Sequence, residues 1–114
     1  MKAEIKAKWV EALRSGKYKQ AKGVLRSMTG GYCCLGVLCD VYRPSGWQKD
    51  GLFEFDGRVG GSMLPHTMNA PVGLSEDHEG TLVNMNDDGM SFPGIADWIE
   101  ANVEATDKTS NPGT

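Results

Sequence analysis

The chain has 114 residues, 39% apolar and 24% charged, which is enough for one folded core and too apolar for a disordered segment. No apolar run approaches the roughly 20 residues of a membrane span, so none is predicted. The net charge of −3 conceals an asymmetry, because residues 1–26 hold eight Lys or Arg and two Glu, a net +6, and the remainder holds −9. This asymmetry predicts that the first part binds an anion or an acidic partner. The alternative is a solvated lysine-rich helix face that pairs with the acidic part of the chain.

Residues 3–15 are predicted to form an amphipathic helix. Apolar residues recur there at helical spacing, at Ile5, Trp9, Ala12 and Leu13. Gly16 follows and ends the helix, since glycine accepts the left-handed conformation past a helix end. Residues 18–26 alternate imperfectly and favour a strand. The turn at 28–31 predicts that Tyr32 and Cys33 return as its antiparallel partner.

Residues 34–42 fit a buried helix, because Leu35, Leu38, Cys39 and Tyr42 share one face. A buried strand is the rival interpretation, since short apolar runs suit either. Gly36 weakens a helix by about 1 kcal/mol relative to alanine. We therefore expect another element to approach closely at that position.

The second half of the chain is predicted to hold short elements. Residues 52–55 and 58–59 form a hairpin around Asp56-Gly57. Residues 63–74 are irregular, with one helical turn between Pro65 and Asn69, and their methionines and leucines cover the core. Residues 75–80 form a polar loop, 81–85 a helical turn or a strand, and 86–89 a turn.

The last predicted helix begins after Ser91, whose hydroxyl caps the first turn, with Pro93 tolerated there. The whole pattern predicts a small single α+β domain, 1–104, with three helices packed on a short antiparallel sheet, and a flexible tail, 105–114. The predicted core consists of Trp9, Leu13, Leu25, Leu35, Leu38, Val41, Phe55, Ile95, Trp98 and Ile99.

Three stretches carry a family resemblance: WVEALRSGKYKQAKGVLR, then YCCLGVLCD, and finally LVNMNDDGMSFPGIADWIE. In this order and spacing the chain resembles a family of small uncharacterised proteins of tailed phages and prophages. The resemblance implies a phage context and names no activity. Small phage proteins of this size are often expressed to disarm host defences. The chain departs from the family between Pro65 and Pro71, where the family has a fuller helix.

The three cysteines are expected to be reduced and buried in a cytoplasmic protein. Adjacent Cys33 and Cys34 rarely satisfy disulfide geometry, and no apolar stretch of a secretory signal follows the basic N-terminus. The cysteine spacing lacks the paired knuckle of structural zinc sites, so no metal or cofactor is predicted. Cys33 precedes a helix start, where the helix dipole would lower the pKa of the thiol. This leaves a Cys33 hydrolase as a third, less favoured function.

We favour anion binding by the segment between the first helix and the cysteines. Arginine forks a phosphate, lysine adds charge and tyrosine stacks on a base. A strand would place Tyr18, Gln20, Lys22 and Arg26 on one side. No catalytic residue is assigned, and the candidate ligand-binding residues are Arg14, Lys17, Tyr18, Gln20, Lys22, Arg26, Asn86 and Asp87.

The function predicted from these observations is non-catalytic. We expect a phage-encoded counter-defence protein that binds and sequesters a nucleotide-derived immune signalling molecule in the cytoplasm of the infected bacterium, as a homo-oligomer. The alternative is an anti-CRISPR-like inhibitor that contacts an acidic surface of a host defence protein. An overall acidic chain disfavours long nucleic acid as the partner.

Overall fold

The computed structural model describes residues 1–105, and its centre is helix α2, Cys34–Tyr42. Residues 34–39 of this helix are all buried. Helix α1, Ala3–Arg14, crosses it, and the indole Nε1 of Trp9 donates to the Cys34 carbonyl at 2.9 Å. Helix α5, Phe92–Asn102, packs along α1. These three helices occupy the places that the apolar spacing predicts.

Two further helices lie in a region that the sequence predicts to be mostly loop. Helix α3 is His66–Val72 and helix α4 is Glu76–Asp87, so the expected polar loop at 75–80 is wrong. The predicted turn at 86–89 is the end of α4, where the Gly89 amide donates to the Asn86 carbonyl at 3.2 Å. The Ser75 hydroxyl accepts from the His78 amide at 3.1 Å and caps α4. Buried Glu79 accepts from the Leu64 amide at 2.8 Å and from Asn69 Nδ2 at 2.9 Å. These bonds satisfy a carboxylate that the sequence places in solvent.

The strands of residues 1–105 form two small sheets instead of one antiparallel sheet. Strand β1, Lys19–Gln20, pairs with β2, Gly31–Tyr32, in parallel. The predicted strand over 18–26 is therefore wrong beyond Lys19–Gln20. The predicted antiparallel return is confirmed only as one isolated bridge, between Arg26 and Tyr32. The left-handed Gly23, with φ of 77°, breaks the extended backbone.

The second sheet confirms the predicted hairpin. Strand β3, Phe53–Phe55, pairs antiparallel with β4, Arg58–Gly60. Asp56 and Gly57 have φ of 53° and 87°, as a tight hairpin turn requires. Two 3₁₀ turns, Pro44–Gly46 and Lys49–Gly51, connect α2 to this hairpin.

The core contains most of the predicted residues. Eight of the ten belong to it, Trp98 is half-buried and packs against it, and Val41 is half-buried. The predicted close approach at Gly36 is confirmed, because a Cβ there would lie 1.7 Å from the Leu25 carbonyl oxygen. Leu64, Met68 and Leu74 of the 63–74 stretch are buried and cover the core as expected, whereas Met63 is 41% exposed. The buried residues that the sequence did not single out include Phe53, Val72 and Leu82.

None of the helices within residues 1–105 is long and apolar enough to cross a membrane. The predicted tail, 105–114, lies outside the described residues except for Ala105.

Candidate functional site

The basic segment, defined as residues 17–26, wraps over α2 and is fixed by its backbone. Leu25 is fully buried, its amide donates to the Gly61 carbonyl at 2.7 Å, and its carbonyl accepts from the Cys33 amide at 3.3 Å. The Ala21 amide donates to the Tyr32 carbonyl at 2.8 Å. These backbone hydrogen bonds therefore fix the backbone positions from which the charged side chains of the basic segment extend.

Arg14, the first predicted ligand-binding residue, is occupied by the protein's own carboxylates. Its Nη2 lies 2.6 Å from Asp97 Oδ1 and 3.0 Å from Glu100 Oε1. These two hydrogen bonds, led by the one to Asp97, raise the pKa of the guanidinium. Arg14 thus joins α1 to α5.

Lys17 and Tyr18 lie at a hollow of about 460 Å³ where α1 ends beside α2. Lys8 and Glu11 also line it, with an apolar floor that includes Ala12 and Val41. Lys17 is exposed and forms no ion pair with any residue of 1–105. The volume falls within the range of small-ligand sites, which is roughly 300–1,000 Å³.

The Tyr18 side chain is held by a partner that the sequence analysis missed. Its hydroxyl donates to Asp40 Oδ2 at 2.5 Å, and burial followed by this bond raises the pKa of Tyr18. Asp40 Oδ1 also accepts from Trp47 Nε1 at 3.0 Å. A lone carboxylate in the apolar run CLGVLCDVY was the available signal for a half-buried polar contact.

Gln20, Asn86 and Asp87, three of the predicted ligand-binding residues, lie close together. Their side chains bond to each other or to the backbone. Asn86 is fully buried, and its Oδ1 accepts from Gln20 Nε2 at 2.9 Å and from the Cys34 amide at 3.2 Å. Its Nδ2 donates to the Ala21 carbonyl at 2.8 Å. Asp87 Oδ1 accepts from the Gly23 amide at 2.9 Å. This group fastens the basic segment to α4.

Arg26 lies on an aromatic surface. Its Cζ is 5.5 Å from the centroid of the Tyr32 ring and 5.3 Å from that of Trp47. Lys19 and Lys22, which precede Arg26 in the chain, are exposed to solvent. The expectation that Tyr18, Gln20, Lys22 and Arg26 share one side of a strand is wrong, because the strand covers only Lys19–Gln20 and the four side chains have different surroundings.

The three cysteines are free and buried, as the sequence analysis predicts. The Cys33 thiol caps α2 by accepting from the Gly36 amide at 3.4 Å. Burial nevertheless raises the pKa of Cys33 to about 11 and also raises those of Cys34 and Cys39. The first-turn amides of Gly36 and Leu35 lower the pKa of Cys33, as expected at a helix start, but burial outweighs them. A protonated Cys33 thiol is a poor nucleophile at neutral pH.

Within residues 1–105, no group of three or more His, Cys, Asp or Glu side chains is arranged to hold a metal ion. The contacts of the two histidines do not involve the cysteines. His66 Nδ1 is 3.7 Å from Glu76 Oε2, and the His78 ring lies edge-on to the Trp98 ring, with centroids 5.6 Å apart. Neither contact orients an imidazole toward a thiol.

Comparison with known proteins gives a match to a family model. A model of the family described as a domain of unknown function, DUF8296, matches residues 1–54. No curated protein and no solved structure matches the chain. The matched residues include α1, the basic segment, α2 and Trp47, so they contain the hollow and the aromatic surface under Arg26.

Proposed function

We propose that this chain is a phage-encoded counter-defence protein that binds and sequesters a nucleotide-derived immune signalling molecule in the cytoplasm of the infected bacterium, without catalysis. One observation carries the proposal. Lys17, Lys19, Lys22 and Arg26 form no ion pair with any carboxylate of residues 1–105, although the chain outside its first 26 residues carries a net −9. Four cations in succession along the chain without a carboxylate partner in residues 1–105 favour an external anion.

The shape of the surface supports a small ligand. The hollow beside Lys17 and Tyr18 has a volume suited to a nucleotide-sized molecule, and a tyrosine ring offers a face or edge to a base. Glu11 on its rim reduces the positive charge locally, so the phosphate contacts are assigned to the Lys17 side. Buried Asn86 and Gln20 position the segment and make no ligand contact in this proposal.

Titration calorimetry tests the proposal directly. The purified chain at tens of micromolar is titrated with cyclic dinucleotides and with isomers of cyclic ADP-ribose, and light scattering follows the expected homo-oligomer with and without each probe. A triple variant with Lys17, Lys19 and Lys22 changed to Gln should lose at least tenfold in affinity, since charge-assisted contacts contribute about 1.5–3 kcal/mol each.

The matched control changes three exposed or half-exposed cations elsewhere, Lys2, Lys6 and Arg58, to Gln. It removes the same charge and should retain affinity within about threefold, because screening at physiological salt acts over roughly 8 Å. Absence of heat with every probe, or equal losses in both triple variants, would refute binding by the basic segment.

A second function is favoured by exposed apolar side chains on the same segment and just beyond it. Met28 is 82% exposed and Val24 is 37% exposed, and they alternate with cations in the chain. Methionine and arginine are enriched where proteins contact one another. An inhibitor that contacts an acidic surface of a host defence protein would co-purify with that protein, and nucleotides would not displace it.

A further inference from the structure

Arg26 is a cation held in place before any ligand arrives. Its guanidinium contacts the Tyr32 and Trp47 rings, and it forms no side-chain hydrogen bond or ion pair within residues 1–105. Aromatic rings attract a guanidinium through their quadrupole and leave its five N–H donors without acceptors. The half-buried side chain is thus fixed in position while its hydrogen-bonding capacity is unused.

The rings beneath Arg26 are themselves fixed. Trp47 donates to Asp40 and packs edge-on against Phe53, with centroids 5.0 Å apart. Tyr32 lies between Tyr18 and Trp47, at centroid distances of 5.0 and 5.9 Å. Tyr18, Tyr32 and Trp47 thus form an aromatic row. Asp40 accepts from both Tyr18 and Trp47, so one carboxylate holds both ends of this row. An arginine on a rigid support loses little conformational entropy when it binds.

The aromatic row also links Arg26 to the hollow. Tyr18 lines the hollow together with Lys17, and its ring contacts the Tyr32 ring on which Arg26 lies. Lys17 thus lines a hollow with Tyr18, Arg26 lies on Tyr32, and the two tyrosine rings contact each other. This arrangement suits a ligand with two anionic groups separated by a planar or sugar unit better than a ligand with one.

We infer that Arg26 binds a phosphate group through its guanidinium fork and that, together with the hollow at Lys17, it selects ligands with two phosphates over ligands with one. The inference rests on the proposed function and specifies its ligand class. Guanidinium and phosphate match in a bidentate geometry that lysine cannot reproduce. Arg26 is therefore the selective contact, and the lysines add affinity that does not depend on the ligand's shape.

Arg43 provides a matched control for a purely structural role. Its Cζ lies 4.5 Å from the centroid of the Phe55 ring, and it also forms no ion pair within the described part of the chain. Arg43 does not line the hollow. Arg43→Gln and Arg26→Gln thus remove the same charge and the same type of ring contact, at one position outside the inferred site and one within it.

The experiment compares probes that differ in phosphate number: cyclic AMP with cyclic di-AMP, and cyclic GMP with cyclic di-GMP. The wild-type chain should bind the better cyclic dinucleotide at least about tenfold more tightly than the matching mononucleotide, as expected for one added charge-assisted contact. Arg26→Gln should reduce this preference to about twofold, because the second phosphate then loses its bidentate contact. Arg26→Lys should retain only part of the preference, and Arg43→Gln all of it.

The outcomes separate the two hypotheses. Binding to the wild-type chain by neither class of probe, and by no isomer of cyclic ADP-ribose, would overturn the proposed function, and the inference with it. Binding with an intact preference in Arg26→Gln would overturn the inference alone, as would an equal loss in Arg43→Gln. Circular dichroism of each variant shows whether it is folded, and Arg26→Lys, which keeps the ring contact and the charge, tests the fork if Arg26→Gln is unstable.

Discussion

Replacement of Gly36 by alanine tests the contact on which the position of the basic segment depends. A Cβ at residue 36 would lie 1.7 Å from the carbonyl oxygen of Leu25 and 2.7 Å from its carbonyl carbon. These are backbone atoms, and the Leu25 amide is bonded to Gly61 while its carbonyl accepts from Cys33. Alanine therefore forces α2 and the basic segment apart and weakens these two hydrogen bonds.

The expected change is the difference between two opposing effects. Overpacking a core typically destabilises by about 1–3 kcal/mol, and a weakened backbone hydrogen bond adds roughly 1 kcal/mol. Alanine is favoured over glycine within a helix by about 1 kcal/mol, which opposes the loss. Gly36→Ala should thus lower the free energy of unfolding by about 2 kcal/mol and the melting temperature by roughly 8 °C.

Urea unfolding followed by circular dichroism measures this change, and Gly80→Ala is the control. Gly80 lies inside α4, and a Cβ there would meet no atom within 4 Å. The same substitution at residue 80 should therefore raise the free energy of unfolding by about 0.5–1 kcal/mol. A Gly36→Ala variant that unfolds at the wild-type urea concentration or above would show that α2 and Leu25 are not in close contact.

Three further predictions address the interior and the ion pairs. Stability should fall as pH rises from about 9 toward 11, because burial raises the pKa of Cys33 to about 11 from its ordinary 9.0, so the unfolded chain loses the thiol proton first; unfolding curves across this pH range measure the fall. Asn86→Ala should destabilise the protein by about 3 kcal/mol in urea unfolding, since it removes three hydrogen bonds of a fully buried amide and leaves its partners unsatisfied. Arg14→Gln should change probe affinity by less than about twofold, because Asp97 and Glu100 already neutralise Arg14; a larger loss in calorimetry would place Arg14 in the binding surface.

The predicted helices are those whose buried positions are apolar. α1, α2 and α5 bury clear apolar faces, so helical spacing reveals them. The buried residues of α4 are Glu79, Leu82 and Asn86. Because two of these three are polar, the sequence of α4 lacks a periodic apolar pattern. Ser75 followed by Glu76 and Asp77 was a usable N-terminal signal, since a capping hydroxyl and acidic first-turn residues favour a helix start. The partners that make these polar residues buriable come from distant parts of the chain and leave no local pattern.

The strand over 18–26 was predicted from alternation alone, and alternation cannot detect a change of backbone direction. Gly23 adopts a positive φ, and beyond it Leu25 is drawn into the core under α2. Arg26 then forms an isolated antiparallel bridge to Tyr32, the residue that Gln20 faces in parallel. The segment therefore meets β2 twice from different directions, which separates side chains that a single strand would align.

This folding back explains why Arg14 and the cations of residues 17–26 have different surroundings. Arg14 lies on a helix that packs against acidic α5, and it follows the alternative in which the basic and acidic parts of the chain pair with each other. Residues 17–26 pass over α2, whose single acidic side chain, Asp40, accepts from Tyr18 and Trp47. Asp40 thereby supports the rings under Arg26 without forming an ion pair with it. An anion that binds this surface meets cations that the fold has positioned and left without a carboxylate partner in residues 1–105, so its charge complements the surface without displacing an internal contact.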